Sequence, residues 1–564
     1  NVTLYFIEDG WGDALYQKQQ LYIRDFNAGG QMAVDVMIGE TYMGYFAENN
    51  VFLPLDQSKF NVVEGVYADT VVNGQMYCVP MCTGICGLQY NTQILTEVGI
   101  PEDKWVPATW DELLENCRIV SEYAAAHPDP ISGKIRYGGI VMNNASGMNC
   151  GTHANSDKVL LSARIVLADG TVLDTGDDIS RASFEATHPD FYNRICELRD
   201  QIRANEELAA RIRYKYSIKN VTGLNLLPFV RFDDPFDIIA HLMVGSEGTL
   251  AFLSQITMRT EYDYPHKASA MLYFTSIKDA CRAVVAMKEL TNRNSSSPSS
   301  VSSADEKLVK GAELLDYKSL SSVEDPVYLK YKQEVADASG LTAVLTETKA
   351  RTREELEQNI SVIEECLKPF STYIPVHFTD RPEEYSKYWA IRSGIFPSVG
   401  GTRQPGTTCL IEDVAFHIED LPEATADLQQ LIARHGYDDA CIYGHALEGN
   451  YHFILNQSFS TDADVKRYED LMNDVKTLVV DKYDGSLKAE HGTGRNMAPF
   501  VKYEWGEAAF EAMKAVKQLF DPKGLLNPGV IFNDDPQCHI KNFKPLPLIP
   551  IDEASPAEKV NKCI

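Results

Sequence analysis

Two short segments, residues 444–452 and 489–495, constrain the fold most because they concentrate histidine, carboxylate and glycine. His445, His452 and Glu490 offer two imidazoles and a carboxylate, a borderline-soft ligand set suited to zinc or another divalent transition metal. The histidine that follows Glu490 supplies a base. A fold that uses these groups together must bring the two segments into contact. Taken singly, each histidine is equally compatible with a structural place in a glycine-bent loop.

Three further blocks, residues 138–151, 244–250 and 520–529, are rich in glycine. Glycine tolerates positive φ and lets the backbone approach a large planar ligand, so loops that cradle a dinucleotide contain it and present bare N–H groups to phosphate. An isolated glycine here would be an ordinary turn residue. Together, the blocks predict a cofactor site.

In this order, the blocks and the two histidine segments resemble the FAD-linked D-lactate dehydrogenase and glycolate oxidase family of the vanillyl-alcohol oxidase superfamily. The resemblance covers residues 138–564. It implies an α/β (α+β multidomain) fold with a partial PCMH-type FAD-binding domain and a ferredoxin-like α+β catalytic domain. The implied cofactors are FAD and a divalent metal, with zinc as the first choice.

The resemblance also implies roles for individual residues. His445, His452 and Glu490 correspond to the metal ligands, and His491 to the base that takes the hydroxyl proton. Arg392 corresponds to the arginine that clamps the substrate carboxylate, with a surface ion pair as the alternative. The residues implied in FAD binding are Gly138, Gly139, Asn143, Asn144, Ser146, Gly147, Gly151, Gly245, Ser246, Glu247, Gly248, Thr249 and Asn527.

Residues 1–137 differ from that family. The motifs at residues 76–80, 87–91 and 108–113 resemble part of a sugar solute-binding protein of ABC importers, with a periplasmic-binding-protein-like α/β fold. Its tyrosines would be core or sugar-stacking residues. The glycine-rich diphosphate loop that the FAD family carries before the block at Gly138 is not found. We therefore expect a fusion of two truncated domains or an assembly artefact, with a working natural architecture as the alternative.

Length and charge narrow the possible functions. At 564 residues and 63.0 kDa the chain is expected to form several domains. The predicted boundaries enclose residues 1–137, 138–260, 261–532 and 533–564, the last leading to a truncated iron–sulfur domain. The formal charge of −28 argues against binding nucleic acid or anionic membranes.

The 12 cysteines contain no CxxC pair, which indicates buried thiols in a reducing compartment. No run approaches 18 apolar residues and no signal-peptide pattern is seen, so neither a membrane span nor export is expected. A cytoplasmic location is expected, with peripheral attachment at the inner membrane as an alternative. By resemblance, Cys563 would be the first ligand of a cluster motif, and electrons would pass to an iron–sulfur domain or protein or to a quinone rather than to NAD.

Two departures from the family pattern leave the substrate open. Glu448 stands where relatives usually have aspartate, and Ile454 occupies a position that is polar in some relatives. The apolar surroundings favour D-lactate, with 2-hydroxyglutarate and glycolate as runners-up. The alternative functions are a sugar-binding component of an ABC importer and a non-functional chimera.

Local patterns predict several elements that would support the site. Residues 165–170 are typical of a strand that runs into a turn, and residues 268–274 of a buried strand. Apolar spacing predicts helices over residues 277–290 and 352–366. The serine-rich residues 292–304 between these helices are typical of a flexible excursion.

Overall fold

The computed structural model divides the chain into two units, residues 1–128 with 548–564, and residues 129–547. In the first unit, strands β1 (Val71–Val72) and β2 (Gln75–Met76) pair antiparallel. The structure describes residues 71–72, 75–76, 99–101, 119, 138–144, 155–259, 264–293, 307–404 and 406–543. The solute-binding-protein motifs at residues 87–91 and 108–113 lie outside these residues, as do most of residues 76–80, all of residues 294–306, and Cys563.

The second unit contains two antiparallel sheets. The smaller sheet has the order β4-β3-β5 and the larger the order β6-β8-β7-β10-β11-β9. The strands are β3 (Leu160–Val166), β4 (Val172–Asp174), β5 (Phe252–Met258), β6 (His266–Phe274), β7 (Gly311–Leu315), β8 (Thr342–Ala350), β9 (Thr408–Ala415), β10 (Cys441–Gly444) and β11 (Asn450–Gln457).

Helices cover both sheets. The α-helices span Gly138–Asn143, Ser156–Val159, Asp178–Thr187, Pro189–Ala204, Glu206–Lys215, Leu227–Arg231, Pro235–Leu242, Ile277–Arg293, Tyr317–Ser322, Pro326–Glu334, Arg353–Leu367, Pro382–Thr402, Leu421–Arg434, Asp462–Lys476 and Val501–Phe520. Short 3-10 helices span Ile418–Asp420, Ala446–Glu448, Ala498–Phe500 and Cys538–Ile540, and a π-helix spans Thr477–Lys482. The mixed α/β class expected from the sequence is confirmed.

The smaller sheet and its helices enclose one apolar core. Ile165 and Leu173 contribute from the sheet and Ile238 from a covering helix. Helix Val501–Phe520, far along the chain, returns to this core and inserts Met513. The core of the smaller sheet is therefore built from residues near both ends of the second unit.

The larger sheet has apolar groups on both faces. One face packs against helices Ile277–Arg293 and Leu421–Arg434 through residues such as Val284 and Leu428, and the other packs against helix Pro382–Thr402. Because both faces are covered, the strands are almost continuously buried. Charged side chains that point from these strands into the protein therefore require partners.

Most of the predicted elements are present. The strand and turn over residues 165–170 form as β3 and a turn in which Gly170 has a φ of 91°. Helix Arg353–Leu367 begins after Thr352, whose hydroxyl accepts the N–H of Glu355. Residues 138–143, expected to belong to a flavin-contacting loop, instead form a helix. The predicted domain boundaries stay predictions.

None of the helices within the described ranges is long and apolar enough to cross a membrane.

Gly449 provides a test of the turn between β10 and β11. Its φ is 68°, and a Cβ added there would lie less than 3.0 Å from the Phe416 carbonyl oxygen. Gly436 has a similar φ of 74° with nothing within 4 Å of an added Cβ, so it is the matched control. Both Gly→Ala changes should cost the roughly 1–2 kcal/mol of left-handed backbone. Gly449→Ala should cost about 1–3 kcal/mol more, since backbone must shift.

Urea unfolding of the two variants measures this difference directly. Equal losses of stability would show that the close approach at Gly449 is not as the structure describes it.

Candidate metal and cofactor site

The three predicted metal ligands meet in the larger sheet. His445 follows β10, and His452 lies on the adjacent strand β11, opposite Tyr443 in the antiparallel register. The turn between them closes through Gly449, and Glu490 approaches from the later loop. All three ligand candidates are buried.

The ligand atoms face one another. His445 Nε2 lies 2.9 Å from Glu490 Oε1, His452 Nε2 lies 3.3 Å from the same oxygen, and the two Nε2 atoms are 3.5 Å apart. Ligands at about 2.1 Å from a tetrahedral ion lie about 3.4 Å from one another. The three atoms therefore already surround one point at the spacing that a bound metal requires.

A carboxylate contacts the other ring nitrogen of each histidine. His445 Nδ1 lies 2.6 Å from Glu313 Oε1, and His452 Nδ1 lies 3.3 Å from Asp413 Oδ1. The His452 contact is electrostatic and not a well-aligned hydrogen bond. Such carboxylates hold the proton on Nδ1 and leave Nε2 free to bind a metal. The arrangement directs both Nε2 atoms toward Glu490.

The site also favours a positive charge. Burial lowers the pKa of His452, but Asp413 and Glu490 outweigh it and raise the pKa to about 9. Burial raises the pKa of Glu490, but Lys219 and His445 hold it well below its usual range. The Lys219 ammonium is itself buried and donates to Glu490 Oε2 at 2.9 Å. A carboxylate that stays ionised among basic imidazoles suits a cation.

Asp413 shapes the loop that carries Glu490. Its Oδ2 accepts the backbone N–H groups of Ala489, Glu490 and His491 at 2.9, 2.6 and 3.0 Å. Its Oδ1 accepts from the Asn450 amide at 2.7 Å. One carboxylate on β9 therefore fixes the loop backbone from which two of the predicted site residues project.

His491 points to the open side of this loop. Its ring stacks on His452 with centroids 4.7 Å apart, and its side chain is 34% exposed. Burial lowers its pKa below the ordinary histidine value, so the ring is neutral at pH 7 and can accept a proton. Gly492 and Gly494, with φ of 81° and 57°, bend the backbone beyond it.

Arg392 reaches the site through Glu313. Its Nε donates to Glu313 Oε2 at 2.8 Å, and its guanidinium lies 4.4 Å from the centroid of the Tyr443 ring. Its two terminal nitrogens have no hydrogen-bond partner within the described part of the chain. Arg392 does form an ion pair, but the pair is largely buried rather than at the surface as in the predicted alternative, and it leaves those nitrogens available.

The predicted flavin segments contact one another and the His491 loop. Val141 and Met142 carbonyls accept the N–H groups of Gly245 and Glu247 at 3.1 and 2.9 Å. The Glu247 carboxylate accepts the N–H groups of Thr493 and Gly494 at 2.5 and 2.8 Å. Backbone hydrogen bonds thus join the two flavin segments to each other, and the Glu247 side chain joins them to the His491 loop.

Several predicted FAD contacts are engaged within the protein. The Ser246 and Thr249 hydroxyls donate to backbone carbonyls of their own turn, and the Asn527 amide donates to the Glu247 carbonyl at 2.6 Å. Asn144 Oδ1 accepts the Asp157 N–H at 3.3 Å. Gly138 and Gly139 lie in a helix and Gly248 has a positive φ, whereas Ser146, Gly147 and Gly151 lie outside the described residues.

An open cavity of about 620 Å³ connects these parts. Asn143 lines it together with Glu490 and His491, and Phe396 and Ile411 form an apolar side. This volume is large enough for a planar ring system and a small acid. The cavity therefore brings the predicted flavin segment together with the predicted ligand Glu490 and the predicted base His491.

Sequence reasoning missed three buried residues of this site. Glu313 could have been found as a single charge in the otherwise apolar strand β7, and Asp413 as a charge on β9. Lys219 gave no local signal, because its partner Glu490 is remote in sequence. By contrast, Glu448 faces Lys288 and Lys307 at 3.0 and 3.6 Å rather than the ligand cluster.

The chain matches two families of known proteins. Residues 264–531 match the FAD linked oxidases, C-terminal domain, and residues 7–123 match the bacterial extracellular solute-binding proteins. These matches confirm both resemblances found in the sequence: separate segments of the chain are similar to two different families.

Curated relatives are hydroxy acid oxidoreductases. D-2-hydroxyglutarate dehydrogenase of Stutzerimonas stutzeri is 26% identical over 56% of this chain and 60% of its own length. Mitochondrial D-lactate dehydrogenase [cytochrome] of Arabidopsis thaliana is 24% identical over 52% and 47%, and glycolate oxidase subunit GlcD of Bacillus subtilis is 23% identical over 72% and 70%. The chain thus spans less than two thirds of the first two relatives.

Solved structures are also similar. 4-Ethylphenol oxidase from Gulosibacter chungangensis has a TM-score of 0.45 at 13% identity, covering 74% of this chain and 75% of its own. p-Cresol methylhydroxylase has a TM-score of 0.45 at 11% identity, with 74% of each chain covered.

The ligand cluster predicts the behaviour of two single variants. His445→Ala or His452→Ala should weaken Zn²⁺ binding by more than the ~10–100-fold that loss of an outer partner costs, since a direct ligand is removed. His435→Ala is the matched control, because His435 pairs with Asp474 away from the cluster. Calorimetric titration of chelator-treated protein with Zn²⁺ measures the change. Unaltered affinity in either ligand variant would contradict the assignment.

Proposed function

Because residues 264–531 match the FAD linked oxidases, we propose that this chain oxidises a D-2-hydroxy acid to the 2-oxo acid with FAD as electron acceptor. The observation that carries the proposal is the cluster of His445, His452 and Glu490, with ligand atoms 2.9–3.5 Å apart beside the cavity. We assign these three residues to a divalent metal, with zinc as the first choice.

Separate residues of the chain bind the metal and take the hydroxyl proton. A bound divalent metal would polarise the substrate hydroxyl and lower its pKa. His491, neutral and at the cavity, takes the hydroxyl proton. Its stacking on His452 keeps the ring close to the ligand cluster while leaving an edge open. Bound FAD would accept the hydride from the same carbon.

Arg392 binds the substrate carboxylate. Two observations support this role: the guanidinium is held in place by Glu313 and Tyr443, and its terminal nitrogens remain available for a planar anion. Because the Arg392 guanidinium is already held at Nε, it loses little conformational freedom when it binds a carboxylate.

Residues around the cavity would hold the ring end of FAD. Asn143 lines it, and the loop that contains Gly245 and Glu247 is tied to the His491 loop by hydrogen bonds. Bound FAD supplies the acceptor for the hydride. Asn527 and Glu247 stabilise the loop that contains Gly245, because the Asn527 amide donates to the Glu247 carbonyl. Electrons then pass to an iron–sulfur domain or protein or to a quinone.

D-Lactate is the proposed substrate. Phe396 and Ile411 form an apolar side of the cavity, and Ile454 pairs with Ile411 on the neighbouring strand. A methyl group fits such surroundings better than a second carboxylate. D-2-hydroxyglutarate is the second candidate, because the exposed Arg495 also lines the cavity and could receive a distal carboxylate.

FAD affinity tests the consequence of the missing diphosphate loop. The sequence lacks the family's diphosphate loop, and each lost charge-assisted N–H contact costs roughly 1.5–3 kcal/mol, so several would lower affinity by orders of magnitude. We expect flavin to dissociate during gel filtration, measured as loss of absorbance at ~450 nm. Stoichiometric flavin that survives gel filtration would contradict this expectation.

The adjacent residues Glu490 and His491 should respond differently to substitution. The test protein joins residues 138–564 to the N-terminal half of a GlcD relative, which restores the diphosphate loop. There His491→Gln should keep Zn²⁺ and lower D-lactate turnover by about 10²–10⁴, the usual worth of a positioned base. Glu490→Gln should weaken Zn²⁺ binding instead.

Metal content and turnover are measured on the same preparations. If His491→Gln loses Zn²⁺ as readily as Glu490→Gln, the division of roles is wrong. The kcat/KM values of the unsubstituted test protein for D-lactate and D-2-hydroxyglutarate decide between the two substrates.

A further inference from the structure

Glu313 is a fully buried carboxylate that joins the two ends of the site. It lies on β7, flanked along the strand by the buried residues Ala312 and Leu314. Burying an ionised carboxylate is costly unless both oxygens find charged or hydrogen-bonding partners. Here one oxygen receives Arg392 Nε at 2.8 Å, and the other receives His445 Nδ1 at 2.6 Å.

The two partners face different chemistry. The terminal nitrogens of Arg392 are available for an anion, whereas His445 Nε2 points at Glu490 and at the position of a cation. No backbone segment links them directly: Arg392 lies on helix Pro382–Thr402 and His445 follows β10. The Glu313 side chain is the short polar connection between these two elements.

We propose that Glu313 is a positioning residue that couples carboxylate binding at Arg392 to metal binding at His445. This inference rests on the proposed function, in which those two residues bind substrate and metal. The negative charge of Glu313 is shared between Arg392 and the His445 Nδ1–H. When a substrate carboxylate draws on the Arg392 charge, more of the Glu313 charge acts on His445, and its Nε2 becomes a stronger metal ligand.

Reciprocity follows from linkage. If an anion at Arg392 strengthens metal binding, a bound metal strengthens anion binding by the same factor. The coupling requires the contacts of both Glu313 oxygens. Removing the Glu313 charge should therefore make metal binding at His445 independent of anion binding at Arg392.

A double-mutant cycle on Zn²⁺ affinity tests the coupling without flavin or turnover. The four proteins are the full chain, Arg392→Gln, Glu313→Gln and the double variant, each titrated with Zn²⁺ after chelator treatment. Glu313→Gln should weaken binding about 10–100-fold, the usual effect of losing an outer carboxylate. Arg392→Gln should lower the Zn²⁺ Kd at least about fivefold when Glu313 is present and by much less when Glu313 is replaced, and a higher Kd would contradict the proposal.

Two further variants separate positioning from folding. Asp316→Asn is the matched control, because Asp316 is also buried nearby and contacts Ser319 rather than Arg392 or His445. It should leave the Zn²⁺ Kd unchanged. If Glu313→Gln does not fold, Glu313→Asp replaces it in the cycle, since the shorter side chain keeps the charge but cannot span both partners.

Each outcome is decisive. Non-additive effects of Arg392 and Glu313 on Zn²⁺ affinity support the coupling. Additive effects in a protein that binds Zn²⁺ overturn the coupling and leave the proposed function standing. A full chain that binds no Zn²⁺ overturns the proposed metal site and the coupling with it.

Discussion

The site depends on one carboxylate, Asp413, that binds both of the segments it must hold together. One oxygen takes three consecutive backbone N–H groups of the loop at residues 489–491, and the other faces His452 and the Asn450 amide on β11. Charged acceptors bind backbone donors more strongly than neutral ones, and burial strengthens the effect. The strand and the loop are therefore held in a fixed relation by groups that lie outside the ligand set.

Charge balance explains why the cluster suits a metal. Glu313, Asp413 and Glu490 are three buried carboxylates. In the described part of the chain, the lysine and arginine that pair with them are Lys219, which is buried and contacts Glu490, and Arg392, which is largely buried and contacts Glu313. The difference of one negative charge must be met by something else. A metal ion or an imidazolium supplies it, and the raised pKa of His452, about 9, shows that the protein environment favours positive charge at that point.

The sequence was most informative where chemistry is local. His445, His452 and Glu490 could be assigned from residue type, spacing and family resemblance, and the structure brings them together. Glu313 and Lys219 could not, because their positions depend on which strands become neighbours: β7 lies beside β10 although about 130 residues separate Glu313 from His445. Strand order in an antiparallel sheet is a long-range property that local pattern does not specify.

Patterns of glycine were less specific. Residues 138–143 looked like a loop because glycine tolerates many conformations, yet they form a helix whose carbonyls pair with the loop at Gly245. The family resemblance implied FAD contacts for Ser246, Thr249 and Asn527. Their hydroxyl and amide groups donate to backbone carbonyls, and their roles in FAD binding stay predictions. Glycine content identifies the segments, whereas tertiary contacts decide the conformation of each segment and the hydrogen-bond partner of each side chain.

The return of helix Val501–Phe520 to the first core has a consequence for modular exchange. Met513 and Phe520 pack with Ile165 and Leu173, so the smaller sheet cannot complete its core from residues 138–259 alone. A genetic crossover near residue 260 would place the two halves of that core in different proteins. A crossover upstream of residue 138 would keep the described residues of that core in one chain.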